Sequence, residues 1–332
     1  MTLITRRRAI TTTAGFVLAA PAILRAHAAS SAPDKVRVGV FPVSSALPFF
    51  VAQARGYFTE MGIEAVPTRM ASSTLILGGF LNGDLDTAAA LVMLEALNIN
   101  IKSPGTVSYI SINGQNADNL QESIVVRNGF DVAAISGFKG KAVKFMAASG
   151  PANTAIARAV MRANGLQEGP DYTLTDLSLN LHVGAMTAGT FDAGYTLEPV
   201  GTILQSSGGA RVLEKGVVST YILGNTKALT FGAGGGMSGD FIKAKPDVAK
   251  RYATAWRKAL ADIATDVSTR DNLKVNTSVP PELARQVGIP KMIMTDKLSA
   301  DDHLYLQKFV DFATSQNIVT AKVDTSAALI SL

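Results

Sequence analysis

Two stretches of the sequence, 106 residues apart, follow the same plan. They read LGGFLNGDLDTAAA and VGAMTAGTFDAGYT, so that Gly83 matches Gly189 and Asp86 matches Asp192. In each stretch a short helix is predicted to end at the glycine, and the aspartate leads into a strand of small residues. The order strand, hydroxyl-rich turn and helix recurs around both. The sequence therefore predicts two α/β halves built on one plan.

A strand, a turn and a helix start are predicted within residues 143–154, VKFMAASGPANT, where Pro151 fits the first helical turn. Ser149, Asn153 and Thr154 add side-chain donors to backbone amides at a helix terminus that favours negative charge. Two interpretations stay open. The segment either binds an anion or polar ligand head, or it is an ordinary helix cap, as most such clusters are.

The first half contains further hydroxyl-rich helix starts, each following a predicted strand. One precedes a helix with an apolar stripe over residues 47–61, which ends before Gly62. Residues 107–112 read as a later strand, and the polar stretch 113–119 is predicted to be a loop. The hydroxyl clusters are Ser44 with Ser45, and Ser72 with Ser73 and Thr74.

The first thirty residues predict an export signal. Arg6 and Arg7 precede an apolar segment over residues 14–24, and cleavage is expected after Ala28. The arginine pair resembles the twin-arginine signal, although Ala9 replaces the usual phenylalanine. The apolar segment is shorter than the roughly 20 residues that span a bilayer. We therefore expect residues 1–28 to be removed and the mature protein to be periplasmic.

The composition of the mature chain excludes several classes of partner and cofactor. Residues 1–28 hold four arginines and no acid, so the 31 basic and 26 acidic residues of the full chain become nearly balanced after cleavage. No basic run remains, and we expect no nucleic-acid partner. Cysteine is absent and only His182 and His303 remain, so we expect no metal, haem or other cofactor.

Two motifs that carry chemistry elsewhere are given structural interpretations here. Gly234, Gly236 and Gly239 satisfy G-x-G-x-x-G, but no acidic residue lies 20 positions further on, so we interpret them as part of a glycine-rich crossover. His182 is expected to cap a helix or to be solvated. The sequence has no G-x-S-x-G elbow, which disfavours a hydrolase of that type.

The segment LPFFVAQARGYFTEMGIEAVP resembles the sulfonate-, nitrate- and thiamine-precursor-binding proteins of ABC importers. The resemblance continues through FKGKAVKF and DFIKAKPDVAKRYATAWRKAL and covers most of the mature chain. It implies an α/β, two-lobed periplasmic binding protein fold of type II, with a ligand cleft between the lobes. By this resemblance lobe 1 spans residues 34–122, lobe 2 spans 123–217, and residues 218–332 return to lobe 1.

The resemblance also implies that ligand contacts come from loops at the carboxyl ends of strands. The loop after the third strand is apolar, which disfavours an inorganic anion and favours a small organic one, a sulfonate or carboxylate. Its charged head is expected near Ser149, and Arg69 and Lys144 are candidate cations. The expected ligand-binding residues are Ser44, Ser45, Ser72, Ser73, Thr74, Ala90, Met93, Ser149, Asn153, Thr154, Tyr195 and Glu198.

The sequence is thus interpreted as a monomeric solute-binding subunit that delivers its ligand to an ABC permease in the inner membrane. No catalysis is expected. Two alternatives stay open: an enzyme of the same fold related to thiamine-precursor synthesis, and a chemosensory binding subunit. The chain lacks the histidine and cysteine clusters that the enzyme would call for, whereas the chemosensory subunit would share every feature described above.

Overall fold

The structure is a computed structural model that describes residues 32–332, so the predicted export signal lies outside it. No helix in this range has both the length and the apolar character that crossing a bilayer requires. The strands in this range are β1 Asp34–Val40, β2 Ile63–Arg69, β3 Thr87–Val92, β4 Val107–Gln115, β5 Glu122–Arg127, β6 Val143–Ala148, β7 Tyr172–Leu177, β8 Ala193–Leu197, β9 Ala210–Lys215, β10 Thr230–Ser238 and β11 Lys291–Met294.

Helices connect most of these strands, as an α/β fold requires. They are α1 Leu47–Ala54, α2 Tyr57–Glu60, α3 Ser73–Leu81, α4 Met93–Lys102, α5 Pro151–Ala163, α6 Leu179–Thr187, α7 Val200–Ser206, α8 Val217–Tyr221, α9 Gly239–Ala244, α10 Pro246–Thr265, α11 Leu273–Asn276 and α12 Ala300–Ser315.

The strands form two sheets that share one topology. The first sheet has the order β11-β4-β10-β3-β1-β2 and the second has the order β7-β6-β8-β5-β9. Apart from the extra edge strand β11, each sheet contains four parallel strands and one antiparallel strand, β10 in the first and β5 in the second. Helices α3 and α6 begin 106 residues apart. The internal repeat predicted from the sequence is therefore confirmed.

The two matched aspartates perform the same structural task in each half. Asp86 accepts the backbone N–H of Arg37 at 2.8 Å, and Asp192 accepts that of Lys144 at 3.0 Å. Each carboxylate also pairs with a guanidinium, that of Arg37 or of Arg127. Each aspartate thereby fastens the start of its strand to the neighbouring strand, which accounts for its place in the repeat without a ligand.

Two predicted boundaries are wrong. The helix expected over residues 47–61 is two helices, α1 and α2, because the chain turns at Gly56, whose φ is 72°. The loop expected over residues 113–119 begins as strand, because β4 stays paired with β10 as far as Gln115. The polar residue Asn113 is therefore buried within the sheet.

Aromatic side chains of α1, α2 and α10 form a stack beneath the first sheet. The ring centroids of Phe58 and Tyr252 lie 4.8 Å apart, and those of Tyr252 and Trp256 lie 6.1 Å apart. Trp256 is 1% exposed, and its Nε1–H donates to Ser111 Oγ at 2.9 Å. These rings are core, as expected from their helical spacing.

Close packing explains the glycine-rich strand β10. A Cβ added to Gly234 would lie 2.2 Å from the carbonyl oxygen of Ser111, and one added to Gly235 would lie 2.7 Å from the Trp256 ring. Gly234 and Gly236 of the G-x-G-x-x-G pattern therefore lie in a tightly packed strand of the first sheet, and Gly239 begins α9.

We expect Gly234→Ala to destabilise the fold by about 1–3 kcal/mol, because the new methyl group would collide with backbone. Gly78→Ala is the matched control, since nothing lies within 4 Å of its added Cβ in the middle of helix α3. The free energy of unfolding of that variant should rise by up to about 1 kcal/mol. Denaturant unfolding of the mature protein measures both, and equal stability of the two variants would contradict the packing argument.

Candidate functional site

A cavity of about 60 Å³, here called the inner cavity, lies between the two sheets and has room for a few water molecules. The ends of β1, β3, β4 and β8 border it, together with the first turn of α5. Parallel strands bring their carboxyl ends to one edge of each sheet, which is where ligands bind in this class of fold. The lining residues are Phe41, Val43, Ser45, Ala90, Val92, Leu94, Gln115, Gln121, Ala152, Asn153, Ile156, Tyr195, Leu197, Val218, Gly232, Ala233 and Phe309.

The side chains that can form hydrogen bonds in the inner cavity are uncharged polar groups. Within residues 32–332 the side chains of Ser45, Gln115 and Tyr195 make no hydrogen bond to protein, although each is at least nine-tenths buried. Gln121 accepts the Ser44 hydroxyl through Oε1 at 3.0 Å, which leaves its NH₂ group available. Since buried polar groups normally have partners, these atoms are suited to bind a polar solute.

Four residues predicted to bind ligand line this cavity: Ser45, Ala90, Asn153 and Tyr195. Their role in binding stays a prediction. The structure places the other eight away from the lining, in positions where local contacts account for most of them. Among these, Met93 is fully buried in the core, and Ser149, half-buried, uses its carbonyl oxygen to accept the Asn153 amide at 3.0 Å.

Three of the seven predicted serines and threonines bond backbone groups through their hydroxyls. Ser72 caps α3 by accepting the Leu75 N–H, Ser73 accepts the Val92 N–H at 2.9 Å, and Thr154 donates to carbonyl oxygens in the first turn of α5. Of these three contacts, that of Ser72 is an ordinary helix cap. The start of α5 has no side-chain cap, so the capping interpretation of residues 143–154 is not what the structure shows.

Ser44 and Glu198 connect the two halves of the molecule. The Ser44 N–H donates to the Glu198 carbonyl oxygen at 3.0 Å. The Glu198 side chain is 1% exposed and accepts the Thr202 hydroxyl at 2.7 Å. Burial raises the pKa of Glu198, against the opposing effect of its hydrogen bonds. Both residues therefore have structural partners that their sequence positions did not reveal.

Two protein carboxyl groups occupy the start of α5, where the sequence suggested a bound anion. The Gly150 N–H donates to Asp176 Oδ2 at 3.1 Å. Glu95, from α4, accepts the Thr74 hydroxyl at 3.0 Å and bonds the backbone of Ala152. Burial raises the pKa of Glu95, and those hydrogen bonds oppose the rise. An anionic head at Ser149 would face both carboxyls, so the geometry argues against that orientation.

The two candidate cations do not reach the inner cavity. Lys144 lies near the start of β6, at the strand end remote from the cavity, and is exposed. Arg69 ends β2 and lines a separate, larger cavity. No charged side chain of the described part of the chain, residues 32–332, lines the inner cavity.

Gln115 and Gln121 were missed by the sequence reasoning. Both lie in or beside the polar stretch that was predicted to be a loop. A signal was present, since a polar residue ending an apolar strand marks a strand end that can face a ligand. Val218 and Phe309 gave no such signal, because they reach the cavity only through the return of the chain to the first sheet.

The buried carboxyl of Glu122 connects the two places where the chain passes from one sheet to the other. Glu122 begins β5, and its two oxygens accept the N–H groups of Val217 and Val218 at 3.3 Å each, at the start of α8. Burial raises the pKa of Glu122 to about 8, with those two hydrogen bonds acting in the opposite direction. The carboxyl is therefore mostly protonated in the folded protein at neutral pH.

The expectation that His182 caps a helix or is solvated is wrong. The ring is fully buried: its Nε2–H donates to the Leu177 carbonyl oxygen, and its Nδ1 accepts the Thr196 hydroxyl, each at 3.0 Å. Burial lowers the pKa of His182 to about 4, so the ring is neutral. Among residues 32–332, no three histidine or acidic side chains are grouped to hold a metal ion.

A model of the NMT1-like family matches residues 29–273. No curated protein matches the chain significantly. Among solved structures, the alkanesulfonate-binding protein SsuA from Xanthomonas axonopodis pv. citri, bound to MOPS, is 18% identical, covers 91% of this chain and 100% of its own, and has a TM-score of 0.70. The periplasmic nitrate-binding protein NrtA from Synechocystis PCC 6803 is 13% identical, covers 89% and 84%, and scores 0.66.

One neighbour is an enzyme. The desulfurization enzyme DSZB is 16% identical, covers 90% of this chain and 96% of its own, and has a TM-score of 0.64. At such identities these likenesses establish the fold, and they confirm the two-lobed α/β architecture expected from the sequence. Because binding proteins and an enzyme share this fold, function has to be argued from the site.

We expect Glu122→Gln to remove a pH dependence from folding stability. In wild type the folded state holds a proton that the unfolded state releases above the ordinary pKa of 4.5, so stability falls as pH rises from about 4.5 to about 8. As the pH rises through that range, the free energy of unfolding of the variant should increase relative to that of wild type, by up to a few kcal/mol. Unfolding curves at several pH values measure the difference, with the exposed Glu64→Gln as control. Parallel profiles of Glu122→Gln and wild type would contradict the assignment.

Proposed function

Because the chain belongs to the NMT1-like family, we propose that it is the solute-binding component of an ABC importer and captures a small organic anion between its lobes. The observation that carries the proposal is the inner cavity, which lies between the two sheets and presents unpartnered, buried polar groups from both. A site divided between two lobes suits capture and release better than it suits a fixed surface contact.

The lining of the cavity supports an organic solute. Ala90, Val92 and Leu94 form an apolar wall, which would leave a small inorganic ion without compensation for its lost water. Two structural neighbours bind negatively charged groups: one is an alkanesulfonate-binding protein bound to the sulfonate MOPS, and the other is a nitrate-binding protein. The apolar wall and the ligands of these neighbours together favour a sulfonate or carboxylate with a hydrocarbon body.

The lobes in this proposal follow the two sheets. Strand β5 begins at Glu122 and β9 ends at Lys215. We therefore place lobe 1 at residues 34–122, lobe 2 at 123–217, and the return to lobe 1 at 218–332. The ends of the second sheet's strands support crossovers at these two points.

Export and delivery complete the proposed role. Residues 1–28 serve as a cleaved twin-arginine signal, and the mature protein acts in the periplasm as a monomer that presents its solute to an inner-membrane permease. The sequence pattern of the signal and the fold of the periplasmic neighbours support this placement.

We also propose that the protein performs no catalysis. Within the part of the chain that the structure describes, no histidine, cysteine or charged side chain lines the inner cavity, and acid–base or nucleophilic chemistry calls for such groups. This separates the chain from a same-fold enzyme. A chemosensory role would use the same site, and an uptake assay in cells lacking the chain distinguishes the two: loss of uptake supports import, and loss of attraction alone supports sensing.

Gln115→Leu should weaken solute binding. The change keeps side-chain volume but removes an amide that has no protein partner, so a hydrogen bond to the solute is lost, at a cost of roughly 1–3 kcal/mol. Calorimetric titration would use the organic anion that gives the largest thermal shift in a screen of sulfonates and carboxylates. Gln53→Leu, on the exposed face of α1, is the matched control. Equal affinity of both variants would remove the inner cavity from the proposal.

Solute binding should bring the lobes together, because the polar groups of both lobes converge only when the cleft narrows. Small-angle scattering of the mature protein should therefore report a smaller radius of gyration with saturating solute than without it. An unchanged radius would argue for a rigid site.

A further inference from the structure

A second and larger cavity lies beside the inner one. Its volume is about 430 Å³, compared with about 60 Å³ for the inner cavity, and Phe41 lines both cavities. Its size falls within the range of small-molecule sites. We call it the Arg69 cavity, because Arg69 is the charged residue in its lining.

Both lobes contribute to the Arg69 cavity. The floor is apolar, with Met70 from the first lobe and Val183, Val200 and Ile203 from the second. The rim is polar and includes the exposed side chains of Asn180 and Ser278. A space with an apolar floor and a polar rim fits an amphipathic molecule.

Among residues 32–332, Arg69 is the one charged side chain that lines either of the two cavities. Its Nη2 donates to the Val275 carbonyl oxygen at 3.3 Å, a long contact, and no carboxylate among residues 32–332 forms a salt bridge with it. The planar guanidinium therefore keeps donors available, and such a group binds carboxylate or sulfonate oxygens in pairs.

The rest of the cleft disfavours an anion elsewhere. Glu95 and Asp176 stand at the start of α5, and the inner cavity offers neutral groups and little room. Charge complementarity thus selects one end of the cleft for an anionic group, the end at Arg69.

We propose that the Arg69 cavity binds the anionic end of the solute. The solute is an elongated organic monoanion: its sulfonate or carboxylate group pairs with Arg69, its hydrocarbon body packs on Val183 and Ile203, and its opposite end, polar and uncharged, reaches Gln115 past Phe41. This assignment rests on the proposed function and names the orientation and class of its solute.

The test uses hexanesulfonate, ethanesulfonate and the neutral 1-hexanol as probes of the mature protein by calorimetry. Wild type should bind hexanesulfonate more tightly than ethanesulfonate, because the longer chain covers more of the apolar floor. Arg69→Gln should bind hexanesulfonate about tenfold more weakly and 1-hexanol unchanged, since a charge-assisted pair is lost. Arg69→Lys should restore part of the affinity. Arg158→Gln, on the surface of α5, removes the same charge outside both cavities and should change nothing.

A second variant tests the floor without touching the charge. Val183→Trp fills the cavity from the second lobe and should abolish the advantage of hexanesulfonate over ethanesulfonate. Equal affinity of Arg69→Gln and wild type for hexanesulfonate would overturn the assignment, as would a wild type that binds neither sulfonate. Failure of the proposed function would give a different set of results. In that case no solute of any class would reduce the radius of gyration, and uptake would not depend on the chain.

Discussion

The hydrogen bonds from Val217 and Val218 to Glu122 fix where the two lobes meet. Within residues 32–332 the chain passes from the first sheet to the second before β5, which begins at Glu122, and returns after β9, which ends at Lys215. One buried carboxyl therefore bonds the two connections to each other. An ionised carboxylate here would be costly, and burial favours the protonated form instead. The cavity walls depend on this junction, since Val218 lines the cavity and β8, which carries Tyr195, pairs with β5.

The residues described in the lining of the inner cavity are all uncharged. Three buried acids, Glu95, Glu122 and Glu198, surround the inner cavity without lining it, and burial raises the pKa of each. Burial thus favours the uncharged form of these acids, and the neutral walls can hold polar groups but offer a full negative charge no cation to pair with. The cation has to come from elsewhere along the cleft, and Arg69 at the end of β2 is positioned for that.

Features encoded by neighbouring residues were predictable from the sequence. The internal repeat predicted the shared sheet order, Pro151 predicted the start of α5, and the apolar stripe over residues 47–61 predicted the buried faces of α1 and α2. Contacts between distant segments were not predictable. Glu95 reaches the start of α5 across more than fifty residues of sequence, and Phe309 reaches the cavity from the far end of the chain. Only the assembled fold places them there.

The hydroxyl clusters illustrate why a local sequence pattern can predict ligand-binding residues that instead have partners within the protein. A serine or threonine hydroxyl has one donor and a short reach, and at a helix start the free backbone groups are its nearest partners. Ser72 is satisfied in this way, by the N–H of Leu75. A glutamine carries two N–H donors and an acceptor on a longer side chain, so it can remain unpartnered by its own neighbours. Gln115 does so at the end of β4. In a cleft built from strand ends, the informative residues are therefore the polar ones that local structure cannot satisfy.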